Sequence, residues 1–189
     1  MDQRRDTTAS GLDRDAILGA LQRLSDDLGA RGVTGEICLC GGAVMVLAFS
    51  ARVSTRDVDA IFHPPQLIRE LSARIGDELR LPQDWLNDGV KGFVSARHET
   101  ATGNLPQFPN LRITMPVPEY LLAMKCMAAR VGGPGGEQSD IPDIVLLVRR
   151  IGLKSPGAVL ELVAQYYPAQ QIPPRTRYLI EGLFEEGSV

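Results

Sequence analysis

Residues 38–62, CLCGGAVMVLAFSARVSTRDVDAIF, decide how the chain is read. The stretch reads as a buried strand around Ile37 and Leu39, a turn at Gly41-Gly42, a short apolar helix from Ala43 to Phe49, and a second strand, Val58 to Phe62. Asp57 and Asp59 stand at the mouth of that second strand. Side chains two apart in an extended segment project to the same side, so the two carboxylates share a face. Their charges repel there unless a cation or a proton sits between them. Such a pair suits Mg²⁺, or Mn²⁺ in its place, because a hard ion is held by one or two carboxylates together with substrate phosphates. The paired glycines fit the same picture, since backbone without a Cβ lets N–H groups approach a phosphate closely. Arg52, Ser54, Thr55 and Arg56 add donors just before the acids. The competing reading is an α/β core unit whose two acids do no more than solvate a strand end.

Working outward, 189 residues fit one folded unit with a small helical appendage and suffice to bury a sizeable core. With 44% hydrophobic and 23% charged residues, the composition is that of an ordinary globular protein. A formal net charge of −3 does not announce a nucleic-acid binder, although a local basic patch is compatible with it. The opening MDQRRDTTASG has no apolar core of a secretory signal, and no apolar run is long enough to span a bilayer. The expectation is a cytoplasmic protein without a membrane partner. Cys38 and Cys40 flank Leu39 in an apolar run, which predicts reduced thiols, and the two histidines, His63 and His98, supply no zinc spacing.

On the N-terminal side, Ile17, Leu18, Leu21, Leu24 and Leu28 repeat at helical spacing from Asp13, and Gly29 and Gly32 mark the stop. On the C-terminal side, His63-Pro64-Pro65 ends the second strand, and a helix over Leu67 to Leu79 is predicted to turn Leu67, Ile68, Leu71, Ile75 and Leu79 inward. The following LPQDWLND has no clear period; Trp85 reads as a buried anchor, and Asn87 and Asp88 as turn residues or as groups facing a cleft. Residues 95–110 read as a loop with a short edge strand, carrying Arg97 and His98. Leu111 to Met115 alternates and predicts a half-buried strand.

Beyond it, Pro118 and Glu119 open a helix, Tyr120 to Arg130, with Lys125 among apolar neighbours. A lysine there needs an ionic partner, an outlet to solvent along the helix, or a cleft holding phosphates. Residues 131–139, VGGPGGEQS, form a glycine-rich link without the P-loop pattern. Asp140 and Asp143 start the next helix on one face, and capping alone would explain them. Two more helices, about 155–165 and 175–185, close the chain. The fold expected is α/β (α+β): a small mixed sheet flanked by helices over 1–116, then a helical bundle over 117–189.

Taken together, GG-x14-DVD followed by LLAMK and SDIPDI resembles the nucleotidyltransferase superfamily of polymerase-β type, in particular the small bacterial branch that includes AbiEii-type and MenT-type toxins. The resemblance runs from about Gly35 to Leu153, and WLND is similar to a related group of bacterial nucleotidyltransferases. It implies that Gly41 and Gly42 hold a triphosphate, with Arg52, Ser54 and Thr55 beside it, and that Asp57 and Asp59 bind Mg²⁺. It implies further that Lys125, with Asp140 or Asp143, completes the catalytic set. The activity implied is transfer of a nucleotide from an NTP to an acceptor hydroxyl, by analogy a tRNA 3′ end, in a toxin restrained by a protein antitoxin. Two rival expectations stand beside it: an antitoxin-like enzyme that adenylylates a partner protein, and a nucleotide-binding module without catalysis.

Overall fold

The computed structural model describes residues 11–130 and 139–189; the first ten residues and segment 131–138, which contains most of the expected glycine-rich link, lie outside the described residues. Two compact units make up the chain, one from Met1–Gly89 with Thr102–Thr114, the other from Val90–Ala101 with Met115–Val189. The fold is mixed α/β, as the hydrophobic periods predict.

In the first unit, a two-residue strand β1 (Leu12–Asp13) leads into helix α1 (Arg14–Gly29). The Asp13 carboxylate accepts from the Ala16 N–H at 2.8 Å, which satisfies one of the otherwise orphaned N–H groups of the first turn. Ile17, Leu21, Leu24 and Leu28 are buried along one stripe, the face the sequence period selects. Strand β2 (Gly35–Leu39) and helix α2 (Gly41–Leu47) follow, then β3 (Ser54–Thr55), β4 (Val58–His63) and helix α3 (Pro65–Leu79). A short strand β5 (Leu86–Asn87) precedes a 3₁₀ turn at Gly89–Phe93. Strands β6 (Thr100–Ala101) and β7 (Leu111–Pro116) complete the set.

Hydrogen-bonded neighbours run β5-β4-β2-β7-β6. Strand β4 is antiparallel to β2, whereas β2–β7 and β4–β5 are parallel, so the sheet is mixed as expected. Strand β6 pairs with Met115 and Pro116, the end of β7 that belongs to the second unit. A separate antiparallel pair joins β1 to β3. Register separates the residues of the first-unit strands into two faces. Ile37, Leu39, Val58, Ala60, Phe62, Leu111 and Ile113 are buried on one, with Leu28 of α1 and Ile68 of α3 packed close to Gly35. The opposite face carries Glu36, Cys38, Asp59, Ile61, His63, Arg112 and Thr114, all half-buried or exposed.

Three local expectations are corrected, and one further strand is added. Helix α2 begins at Gly41, not at Ala43, and ends at Leu47 rather than Phe49. Leu79 does not turn inward: it is 45% exposed, because α3 ends there in a left-handed Arg80 (φ 56°) and its last turn has run past the core. LPQDWLND contains a strand, β5, and Leu12 enters one, β1. Both are two residues long, and their partners lie far away in sequence, so no local period marks them.

The second unit is built from helices α4 (Pro118–Ala128), α5 (Ile141–Ile151), α6 (Pro156–Tyr166) and α7 (Pro174–Glu185). Proline stands in the first turn of each, where no N–H partner is lost and its fixed φ suits the helix. Tyr120 and Tyr166 stack with ring centroids 5.0 Å apart, and the Thr176 hydroxyl donates to the Cys126 carbonyl at 2.8 Å, tying α7 to α4. Among the described residues no helix is long and apolar enough to cross a membrane.

Candidate functional site

The first unit brings five of the predicted residues together around the start of α2. Strand β2 runs straight into this helix, and the Cys40 N–H donates to the Asp59 carbonyl at 2.8 Å, so the helix start is fixed against β4. Gly41 has φ +57°, the left-handed region that favours glycine. A Cβ there would lie 2.7 Å from Asp59 Oδ2. At Gly42 a Cβ would lie 2.2 Å from Thr55 Oγ1 and 2.9 Å from Thr55 Cβ. The glycine pair therefore lies directly against the carboxylate of Asp59 and the buried hydroxyl of Thr55, and any side chain at either position would displace one of them.

Asp57 immediately precedes β4, and Asp59 is its second residue; both are half-buried, and Asp59 lies on the face opposite the helix-packed core. The neighbouring strand contributes Asn87, which is in register with Asp59 and whose Nδ2 donates to Asp57 Oδ2 at 3.4 Å. Among the described residues no group of three or more His, Cys, Asp or Glu side chains is gathered for a metal. The two carboxylates nevertheless fit a hard divalent cation that takes its remaining ligands from phosphate and water, and the missing Cβ at Gly41 leaves the space that Asp59 Oδ2 uses.

Other predicted residues are placed differently. Ser54 is adjacent to Thr55 on β3, so its side chain takes the opposite side. Its Oγ would lie 2.8 Å from a Cβ on Gly11, which puts it against the β1 end of the chain and not with Gly42. Arg52 is half-buried in the connection between α2 and β3, and Arg56 is exposed.

The thiols on this face differ in character. The hydrogen bond from Cys40 holds the Cys38 thiol below its ordinary range, against the opposing effect of burial and with help from Thr114. Cys40 is pushed well up by the same hydrogen bond, by burial, and by the charges of Cys38 and Asp59.

In the second unit the remaining predicted residues form one cluster. Lys125 Nζ lies 2.7 Å from Asp140 Oδ1 and 2.8 Å from Asp143 Oδ2, with the side chains of all three less than a tenth exposed. Of the alternatives open to a mid-helix lysine, the ionic partner is the one realised, and the outlet to solvent is not. Asp140 occupies the N-cap position of α5 but makes no side-chain cap. Its Oδ2 instead accepts from the backbone N–H and the Nε of Arg130, at 3.1 and 3.2 Å. Burial pushes the Asp140 carboxyl up, but the Lys125 ammonium and the donors of Arg130 outweigh it and hold the group below the ordinary carboxylate range.

Arg97 pairs with Glu99 at 2.8 Å and lies over the Tyr166 ring, 5.5 Å from its centroid, while His98 is exposed. Trp85 is fully buried and donates its indole N–H to the Ser72 carbonyl at 2.8 Å, the anchor its size predicts. The residue that sequence reasoning left undecided is Asn87: it serves a turn, through its Oδ1, and also faces Asp57. The available signals were its place two residues after a tryptophan anchor and its membership of the WLND stretch. Compared with protein-family models, curated proteins and solved structures, the chain matches none.

Proposed function

We propose that the protein is a Mg²⁺-dependent nucleotidyltransferase that moves a nucleoside monophosphate from an NTP to an acceptor hydroxyl and releases pyrophosphate. The observation that carries this reading is the direct packing of the glycine pair Gly41-Gly42 on Thr55 and Asp59, with Asp57 two residues before Asp59. Asp59 and Thr55 fill the space a Cβ would take, so a phosphate chain would meet the backbone N–H groups at the start of α2, with the carboxylates of Asp57 and Asp59 beside it. Asp57 and Asp59 would hold the Mg²⁺, which supplies charge neutralisation on the phosphates and activation of the attacking oxygen. Thr55, buried against Gly42, would hold the start of α2 in place, and Arg52 would offer charge to the phosphates. The protein's share of such a reaction is positioning and electrostatics, with attacking and leaving oxygens held in line.

The resemblance would add Lys125, Asp140 and Asp143 to the catalytic set; within the second unit they are buried and paired with one another. Their mutual ion pairing fixes the lysine's ammonium and both carboxylates in one place within the second unit. The acceptor proposed is RNA, a tRNA 3′ end by analogy, and the physiological setting a toxin held in check by a protein antitoxin. The test is incubation with each α-³²P-labelled NTP and total RNA, with and without Mg²⁺. Label appearing in an RNA band only with Mg²⁺ is the expected result. Label appearing instead in a co-expressed neighbouring protein would move the acceptor from RNA to protein, and NTP binding without any transfer would remove the enzyme reading.

A further inference from the structure

The segment Trp85-Leu86-Asn87-Asp88-Gly89 has no assigned part in the proposed site, yet every residue in it is fixed. Trp85 is anchored in α3 through its indole N–H on the Ser72 carbonyl, with Gly76 leaving room for the ring at 3.1 Å from where a Cβ would stand. The Trp85 carbonyl accepts from the Val58 N–H at 2.6 Å, which locks the segment beside the residue between the two aspartates. The Asp88 carboxylate pairs with Arg69 of α3 at 2.5 Å. Between these two fixed points β5 runs parallel to β4, with Val58 opposite Leu86 and Asp59 opposite Asn87.

The orientation of the Asn87 amide follows from its partners. The Gly89 N–H is a donor and points at one amide atom at 2.9 Å, so that atom is the carbonyl Oδ1. The other atom, which faces Asp57 Oδ2, is therefore the NH₂ group. Reversing the amide would set donor against donor at Gly89 and acceptor against carboxylate at Asp57.

We infer that Asn87 is a positioning residue of the nucleotidyltransferase site, holding Asp57 by one oxygen so that the other is presented to the metal beside Asp59. The inference rests on the proposed reading of Asp57 and Asp59 as metal ligands. Partners of this kind orient a ligating carboxylate, and their loss typically costs about 10–100-fold in metal affinity or activity. A plain turn residue would behave differently, because aspartate serves an Asx turn as well as asparagine does.

The test measures Mn²⁺ affinity directly, by electron paramagnetic resonance titration of the purified full chain, so that catalysis is not the readout. Asn87→Ala removes both hydrogen bonds and is expected to weaken Mn²⁺ binding by about tenfold or more. Asn87→Asp keeps the acceptor for Gly89 and exchanges only the donor facing Asp57 for a third carboxylate. With the donor lost and a like charge set against Asp57, it is expected to bind Mn²⁺ about tenfold or more weakly, and its melting temperature should rise less on adding Mn²⁺ than that of the natural chain. Asn87→Asp is the decisive variant should Asn87→Ala fail to fold. Mn²⁺ affinity in Asn87→Asp within twofold of the natural chain, or tighter, would overturn the positioning role and leave the metal site standing. Absence of Mn²⁺ binding in the natural chain would overturn both, and the two failures are thereby distinguished.

Discussion

Substituting Gly42→Ala sets two effects of opposite sign against each other. Residue 42 lies in α2, and replacing a helical glycine by alanine ordinarily stabilises by roughly 0.5–1 kcal/mol. The new Cβ, however, would stand 2.2 Å from Thr55 Oγ1 and 2.9 Å from Thr55 Cβ. Rotating the threonine would move the hydroxyl but not its Cβ, so relief requires backbone movement in a strand whose Thr55 is 2% exposed. Overpacking of this kind costs about 1–3 kcal/mol, and contacts this short belong at the upper end of that range. The net expectation is a destabilisation of about 1–2 kcal/mol, read as a lower urea midpoint with an unchanged slope. Thr55→Ala removes the nearer of the two contacts, so the double variant should recover part of the loss, with a coupling energy of about 1 kcal/mol. A stabilised Gly42→Ala, or a double variant additive to within roughly 0.3–0.5 kcal/mol, would refute the claim that Gly42 is dictated by Thr55.

Three further outcomes follow from the rest of the molecule. Lys125→Met leaves Asp140 and Asp143 buried without their shared cation, and should cost about 3–5 kcal/mol in urea unfolding; a loss under about 1 kcal/mol would mean the cluster is not the buried ion pair described. The Asp140 carboxyl is depressed in the fold, so its stabilisation is complete above the ordinary carboxylate value of roughly 3.9 and is lost as the pH falls from there through its lower folded value. Melting curves should therefore show the natural chain losing stability below about pH 4 more steeply than Asp140→Asn, and equal slopes would remove Asp140 from the acid response. Burial pushes the Cys126 thiol up to about 12 while the hydrogen bond from Cys40 holds Cys38 low, so limited alkylation at neutral pH, read by peptide mass mapping, should mark Cys38 first and spare Cys126.

Much of the fold was legible because it is written in local periods. The stripe Ile17, Leu21, Leu24, Leu28 selected the buried face of α1, the alternation of Leu111 to Met115 marked β7, and the bulk of Trp85 predicted an anchor. What stayed hidden depends on partners distant in the chain. The glycine pair read as a turn because glycine disfavours helix interiors, whereas α2 begins on those glycines because Asp59 and Thr55 leave no room for a Cβ. Leu79 continued the helical period, but a period carries no information about where the opposing surface ends. Lys125 announced that it needed a partner, but Asp140 and Asp143 were read as caps or as acids of the site, and only the packing of α4 and α5 joins them to it. The candidate site was thus visible as a set of residue types, whereas Asn87 was left between a turn and a cleft, since its contacts follow from the register of a two-residue strand.

The account stands most directly on Asp57 and Asp59, and the measurement that tests it is Mg²⁺-dependent transfer of label from an α-³²P NTP to an acceptor by the natural chain and by Asp57→Ala and Asp59→Ala. Transfer with release of pyrophosphate by the natural chain, and loss of it by about a thousandfold or more in each variant while both still melt cooperatively, is the result expected of residues that hold the metal on the reacting phosphate. Undiminished transfer in either folded variant, or none by the natural chain with any of the four nucleotides, would contradict it.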